Sequence, residues 1–320
     1  MRGHTLIWNI LAAAALLMAL TSGISAQSAE PTMQERVVAN VNTFLKLWQA
    51  ADAEGLSNLF AEDGVRVISS QQLPAVGRAA IRKTFEDTFA EGSPFAGATL
   101  TAKVHRVLPL SDTIVIGDGT WVLSDKAGAV VLKGKWGNAF RATGSELHLV
   151  MESAHADIDL SKDRSWYATA HRETPAPANY GNAEKLLGAF QRSADRYIAA
   201  VRMQSAGALA AEFTADGVRV VSSLPAASRG KAAIAKTARA EFAKGSPFEQ
   251  ATLGVTILGL RSLAPGILIG NGLWEAKGPD GGVVEFGQWG NVMKVQNDGE
   301  IKFIMESAGG YVGPEQSEAK

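Results

Sequence analysis

The chain has 320 residues, with 31 Lys and Arg against 32 Asp and Glu, a formal net charge of −1. That balance leaves no basic excess for neutralising phosphates, so nucleic-acid binding is not expected. Cysteine is absent, which excludes disulfides, thiolate metal sites, cysteine nucleophiles and lipid attachment through cysteine. Hydrophobic residues at 46% can fill sizeable cores, and the length suggests two domains.

Residues 1–26 read as a secretory signal peptide. Arg2 and His4 precede an apolar run over 6–20, and small residues follow over 21–26. Cleavage is expected after Ala26, with Ser28 as the second choice, which would make the mature protein periplasmic or secreted. The apolar run is shorter than the roughly 20 residues that cross a bilayer. No membrane contact is expected once the segment is removed.

The next feature is an internal repeat. AEDGVRVISS at 61–70 returns as TADGVRVVSS at 214–223, and EGSPFAGATL at 91–100 returns as KGSPFEQATL at 244–253. GDGTW at 117–121, WGN at 136–138 and MESA at 151–154 return as GNGLW at 270–274, WGN at 289–291 and MESA at 305–308. A shift of about 153 aligns 56–138 with 209–291 without a gap, and about 37 of the 83 positions are identical. The period is far longer than the roughly 20–50 residues of solenoid repeats, so each copy is expected to be a complete domain. The expected domains are 34–154 and 183–312, with the Pro-containing segment 155–182 as a linker.

In chain order, each copy opens with a helix. Val37, Val41, Phe44, Leu45 and Trp48 share one face of the first, and Phe190, Ala194, Tyr197, Ile198 and Val201 fill the same slots in the second. Asp52 and Ser205 are N-caps for a short second helix through 56–60 and 209–213. Asp63-Gly64 and Asp216-Gly217 are turn signals before strands at 65–69 and 218–222. Gly77 and Gly230 start a third helix that Gly92 and Gly245 end. Strands follow over 99–109, 113–123, 129–143 and 146–153, with counterparts in the second copy. This order predicts an α+β fold with helices packed on one face of an antiparallel sheet.

The three helices before a curved sheet, the Asp-Gly turn, the Gly-Arg-x-x-Ile start of helix three and the last strand ending Met-Glu-Ser resemble the NTF2-like cone family, and within it the SnoaL-like group. The resemblance covers about 34–154 and 184–308. It implies two tandem cone domains, each with helices closing a curved antiparallel sheet. Family members share shape while differing in chemistry, so function has to be read from residues. A ketosteroid-isomerase type site implies a carboxylate on the strand after the helix-two Asp, but that strand reads VRVIS at 65–69 and VRVVS at 218–222. Tyr197 occupies the helix-one position of an oxyanion donor, whereas Phe44 in the other copy has no hydroxyl. Dehydratase-type members pair His with Asp, and all five histidines (His4, His105, His148, His155, His171) lie outside the second copy.

The cavity of such a cone is expected to be lined by Trp48, Trp121, Trp136 and Asn138 in the first copy and by Tyr197, Trp274, Trp289 and Asn291 in the second. Asp63 and Asp216 read as turn residues, and Arg66 and Arg219 as their ion-pair partners or as anion binders. The paired glycines at 117 and 119, with Gly137 and their copies, read as sites of sheet curvature. Strict alternation along 301–306 puts Glu306 on the outer sheet face beside Ile304, and Glu152 with Val150, so these four are candidates for contact between the copies. Two such faces would meet isologously, giving an intramolecular domain pair. No cluster has metal-ligand spacing, and neither a metal nor another cofactor is expected. No complete catalytic site is legible. The reading that follows is an exported binder of a small apolar or amphipathic molecule. Two alternatives stay open: an isomerase, cyclase or dehydratase with one active copy, and a pseudo-dimeric interaction module. An active copy would be the first, which alone carries His105, His148, Trp48 and Asp52.

Overall fold

A computed structural model describes residues 31–159, 165–246 and 248–313; the signal-peptide reading therefore lies outside the described residues. Each copy is an α+β unit. The first contains α1 (Met33–Gln49), α2 (Ala53–Asn58), β1 (Phe60–Ile68), β2 (Ala75–Val76), α3 (Arg78–Phe89), β3 (Thr99–Pro109), β4 (Ile114–Ser124), β5 (Val130–Thr143) and β6 (Glu146–Ala156). The second repeats the order with α4 (Leu187–Arg202), α5 (Ala206–Ala211), β7 (Phe213–Val221), β8 (Ser228–Arg229), α6 (Lys231–Glu241), β9 (Thr252–Ala264), β10 (Ile267–Lys277), β11 (Val283–Val295) and β12 (Ile301–Gly310). Each sheet has six strands, ordered β2-β1-β6-β5-β4-β3 and β8-β7-β12-β11-β10-β9. β1 joins β6 in parallel, as β7 joins β12, and the other pairings are antiparallel. Each copy is thus a complete domain, as the repeat implies, with the helices and sheet of the cone form that the family resemblance implies.

Local chemistry explains the helix ends. Thr32 and Glu35 form a reciprocal capping box at the start of α1. Asp52 accepts from the Gly55 amide at 2.8 Å, and Ser205 accepts from Ala208 in the same role on α5. Gly77 and Gly230, before α3 and α6, have φ of 83° and 77°, a region glycine enters without strain. One expectation shifts. β1 and β7 begin at Phe60 and Phe213, so Asp63-Gly64 and Asp216-Gly217 lie inside a strand, at the irregularity where β1 slips against β6. The segment after the first unit also differs from a free spacer. β6 runs through His155 to Ala156, and Tyr167 is buried, its hydroxyl donating to the Tyr311 carbonyl at 2.7 Å.

The helix-facing sides hold one apolar core each, around Leu56, Phe60, Phe85 and Phe140 in the first unit and Leu209, Phe213, Ile234 and Phe303 in the second. A third apolar layer lies between the two sheets. Ile114, Ile116, Val150 and Met151 from the first meet Val218, Val220, Ile269, Ile304 and Met305 from the second. The two copies mirror each other across it. Ser153 Oγ donates to the Ser307 carbonyl at 3.4 Å, and Ser307 Oγ to the Ser153 carbonyl at 3.3 Å. Arg261 pairs with Asp63 and Arg106 reaches Asp216, so both Asp-Gly aspartates are bound by the opposite unit. Gly137 and Gly290 do more than relieve curvature. A Cβ there would come within 2.9 Å of Met305 Sδ and 3.0 Å of Met151 Sδ, each from the other unit. Ile158 N donates to the Ser222 carbonyl and Val312 N to the Ser69 carbonyl, so the chain leaving each sheet crosses to the other unit.

Candidate functional site

Each unit encloses a cavity between its helices and the concave sheet face, about 140 Å3 in the first and about 150 Å3 in the second. Either is enough room for a single aromatic ring. Trp48, Trp121, Trp136 and Asn138 line the first, and Tyr197, Trp274, Trp289 and Asn291 line the second. The tryptophans are held by their indole N–H groups. Trp48 donates to the Ala98 carbonyl at 3.0 Å, Trp121 to Lys135 at 3.2 Å, Trp274 to Gln288 at 3.2 Å and Trp289 to Leu273 at 3.1 Å. Trp136 Nε1 is buried with no partner among the described residues. The Trp136 ring lies against Gly117 and Gly119, and the Trp289 ring against Gly270 and Gly272. A Cβ at Gly119 or Gly272 would meet the indole within 2.7 Å. These glycines in the first-copy β4 and its counterpart therefore make room for the cavity wall.

The polar end of each cavity is an Arg–Glu pair, and here the structure corrects two expectations. Arg66 and Arg219 do not pair with Asp63 and Asp216. Arg66 Nε donates to Glu152 at 2.8 Å, and Arg219 Nε to Glu306 at 2.9 Å. Glu152 and Glu306 accordingly sit on the concave, helix-facing side and line the cavities, not the outer face. The physical reason is a bulge. The register runs Ala139–Met151 and then Phe140–Leu149, which leaves Val150 as an extra residue, and Val292–Met305 then Met293–Phe303, which leaves Ile304. One extra residue reverses the alternation beyond it. Val150 and Met151 thus both enter the layer between the sheets, as do Ile304 and Met305, and the next residue turns inward. Asn138 and Asn291 hold this geometry, each side-chain oxygen accepting from the amide of the residue after the Glu, Ser153 at 3.0 Å and Ser307 at 3.1 Å.

The two poles differ. In the first, Arg66 Nη1 donates to Thr84 Oγ1 at 2.8 Å, and its guanidinium stacks 4.0 Å over the Phe85 ring. In the second, Arg219 Nη1 donates to Glu241, Nη2 to the Tyr197 hydroxyl at 3.4 Å, and Tyr197 donates to Glu306 Oε1 at 2.8 Å. Ser223 donates to the other Glu241 oxygen at 3.0 Å. Burial pushes the Tyr197 hydroxyl well above its ordinary range and raises the Glu306 carboxyl. Burial opposes the Arg219 charge, but Glu241 and Glu306 outweigh it and keep the guanidinium protonated. The counterparts of Tyr197 and Glu241 are Phe44 and Thr88. Repetition marks Arg66, Arg219, Glu152 and Glu306 in the sequence, but nothing marks Glu241, which is not repeated.

Of the four residues that distinguish the first copy, only Trp48 reaches a cavity. Asp52 is a helix cap, His105 bonds Thr120 Oγ1 at 3.0 Å on the strand surface, and His148 bonds Glu146 at 3.0 Å. His155 lies between the units instead. Among the described residues no group of three His, Asp or Glu side chains is placed to hold a metal ion. Nor is any helix there long and apolar enough to cross a membrane.

No family model and no curated protein matches the chain. Solved structures of similar shape include an NTF2-like protein of unknown function from Shewanella oneidensis, 10% identical, covering 39% of this chain and 99% of that one at a TM-score of 0.34. An NTF2-like protein with a cystatin-like fold from Novosphingobium aromaticivorans is 20% identical, over 38% of this chain and 80% of that one, at a TM-score of 0.31. A ketosteroid isomerase-like protein from Erwinia carotovora is 14% identical, over 39% of this chain and 95% of that one, also at 0.31.

Proposed function

We propose that this protein is an exported binder of small, largely apolar molecules, one in each cone cavity, of the kind found among SnoaL-like domains. The observation that carries the reading is the shared build of the two cavities: aromatic and aliphatic walls with a single polar pole, Arg66–Glu152 or Arg219–Glu306. A site of that form holds a ligand's apolar body by burial and orients its polar end. The state of the carboxylates favours binding over isomerase or dehydratase chemistry. Both Glu152 and Glu306 are ion-paired to an arginine, which stabilises the charged carboxylate and so opposes its taking a proton from substrate. Export rests on the order of residues 1–26, and the amino terminus of protein recovered from the periplasm or medium is expected near Gln27 or Ala29.

The test uses benzyl alcohol, a ring with one polar atom. Calorimetric titration of the full chain is expected to show saturable binding at two sites. Ala102→Trp and Val255→Trp, which place an indole in the first and second cavity respectively, should each remove one. Binding that does not saturate, or that survives both substitutions, overturns the proposal.

A further inference from the structure

We propose that the second cavity is selective for a small cationic ligand, an ammonium carried on an aromatic ring or short apolar chain, while the first takes neutral ligands. The inference rests on the binding reading above and adds the ligand class. It follows from comparing two copies of one site within one chain. In the first, the charge of Arg66 is matched by Glu152, and its Nη1 donates to the neutral hydroxyl of Thr84. In the second, Arg219 faces two carboxylates, Glu306 and Glu241, both on the cavity wall. One positive charge against two negative ones leaves the pole formally at −1. Glu285, also on that wall, has an interaction of its own outside the Arg219 cluster and does not enter this balance.

A buried site with surplus carboxylate is neutralised by a proton or by a cation, because an unbalanced charge costs heavily in a low-dielectric environment, and a bound ammonium takes the place of that proton. The rest of the wall suits the same occupant. Phe190, Phe242, Trp274, Trp289 and Phe303 surround the space, and the faces of such rings attract an ammonium while covering its apolar carrier. Burial already raises the Glu306 carboxyl, and a cation beside it opposes that shift by stabilising the charged form. Oxygens are available for it, since each carboxylate oxygen that accepts from Arg219, Tyr197 or Ser223 retains a second lone pair. The volume limits the carrier to about one ring.

Benzylamine and benzyl alcohol, nearly equal in shape, separate this inference from the reading beneath it. Calorimetric titration of the full chain with each is expected to show two alcohol sites but one strong amine site, with amine preferred over alcohol there by about tenfold, the value of one charge-assisted contact. Glu241→Thr reproduces the residue of the first copy, so Arg219 keeps a single carboxylate as Arg66 does, and the preference should fall to about threefold or less. Should that variant unfold, Glu241→Gln keeps the shape without the charge. Thr88→Glu should create a second strong amine site. If benzyl alcohol binds at two sites but benzylamine shows no preference, or if the preference survives both Glu241 substitutions, the cationic selectivity is wrong and the binding reading stands. If neither compound binds, both fall.

Discussion

The imidazole of His155 should make stability depend on pH in one direction and one window. The ring is 1% exposed between the two units, with Nε2 2.9 Å from Ser153 Oγ and Nδ1 3.4 Å from Ser69 Oγ. Burial, aided by the nearby Lys135 charge, lowers its pKa from 6.5 to about 3. The unfolded chain therefore takes up this proton first. The stability of the neutral buried ring is fully present above about pH 6.5 and is lost as pH falls from there toward 3. Between about pH 7.5 and 5 the linkage relation gives a loss of about 2 kcal/mol from this one group. Glu306 and Asp118, raised chiefly by burial, act oppositely, since the folded state binds their protons more readily and gains stability as pH falls. Comparison with His155→Gln removes those shared terms. Urea unfolding of both proteins across that range should show the wild type losing about 2 kcal/mol more than the variant on acidification, whatever the variant's stability at neutral pH. Parallel pH profiles would refute the reasoning, because they would mean that the imidazole reaches water or a compensating carboxylate.

Two other comparisons of variants probe the buried contacts. Glu152→Ala leaves Arg66 buried with only Thr84 and the Phe85 ring, and should cost about 3 kcal/mol in urea unfolding, whereas Arg66→Met with Glu152→Leu should cost much less; equal losses would show that the buried charge is not the cause. Gly309→Ala puts a Cβ 2.4 Å from that of His155 and should cost about 1–3 kcal/mol, with most of the loss absent in a His155→Ala background; additive effects of the two changes would show that they do not share that space.

Much of this architecture was legible in the residues alone. Helix periodicity, the Asp52 and Ser205 caps and the Gly77 and Gly230 starts are set by near neighbours, and duplication printed each signal twice. The aromatic lining was legible too, since Trp121, Trp136 and their copies fall on the concave face of regular strands. The face taken by Glu152 and Glu306 was not. A single extra residue at Val150 or Ile304 reverses every later side chain, and its position is set by pairing with β5 and β11, which are distant information for a reading along one strand. Partnership across the units was hidden for the same reason. Asp63 and Asp216 look like turn residues because Gly follows each, yet their partners Arg261 and Arg106 lie in the other copy. His155 and Gly309 each follow a MESA segment, and only the structure shows that the two meet between the sheets, where a Cβ at 309 would lie 2.4 Å from that of His155. Sequence by itself determined the elements, their order and their duplication, because those follow from local sterics and periodicity. Tertiary structure alone decided which charges meet and which copy carries the surplus carboxylate, because close pairing depends on register and on packing between residues far apart in the chain.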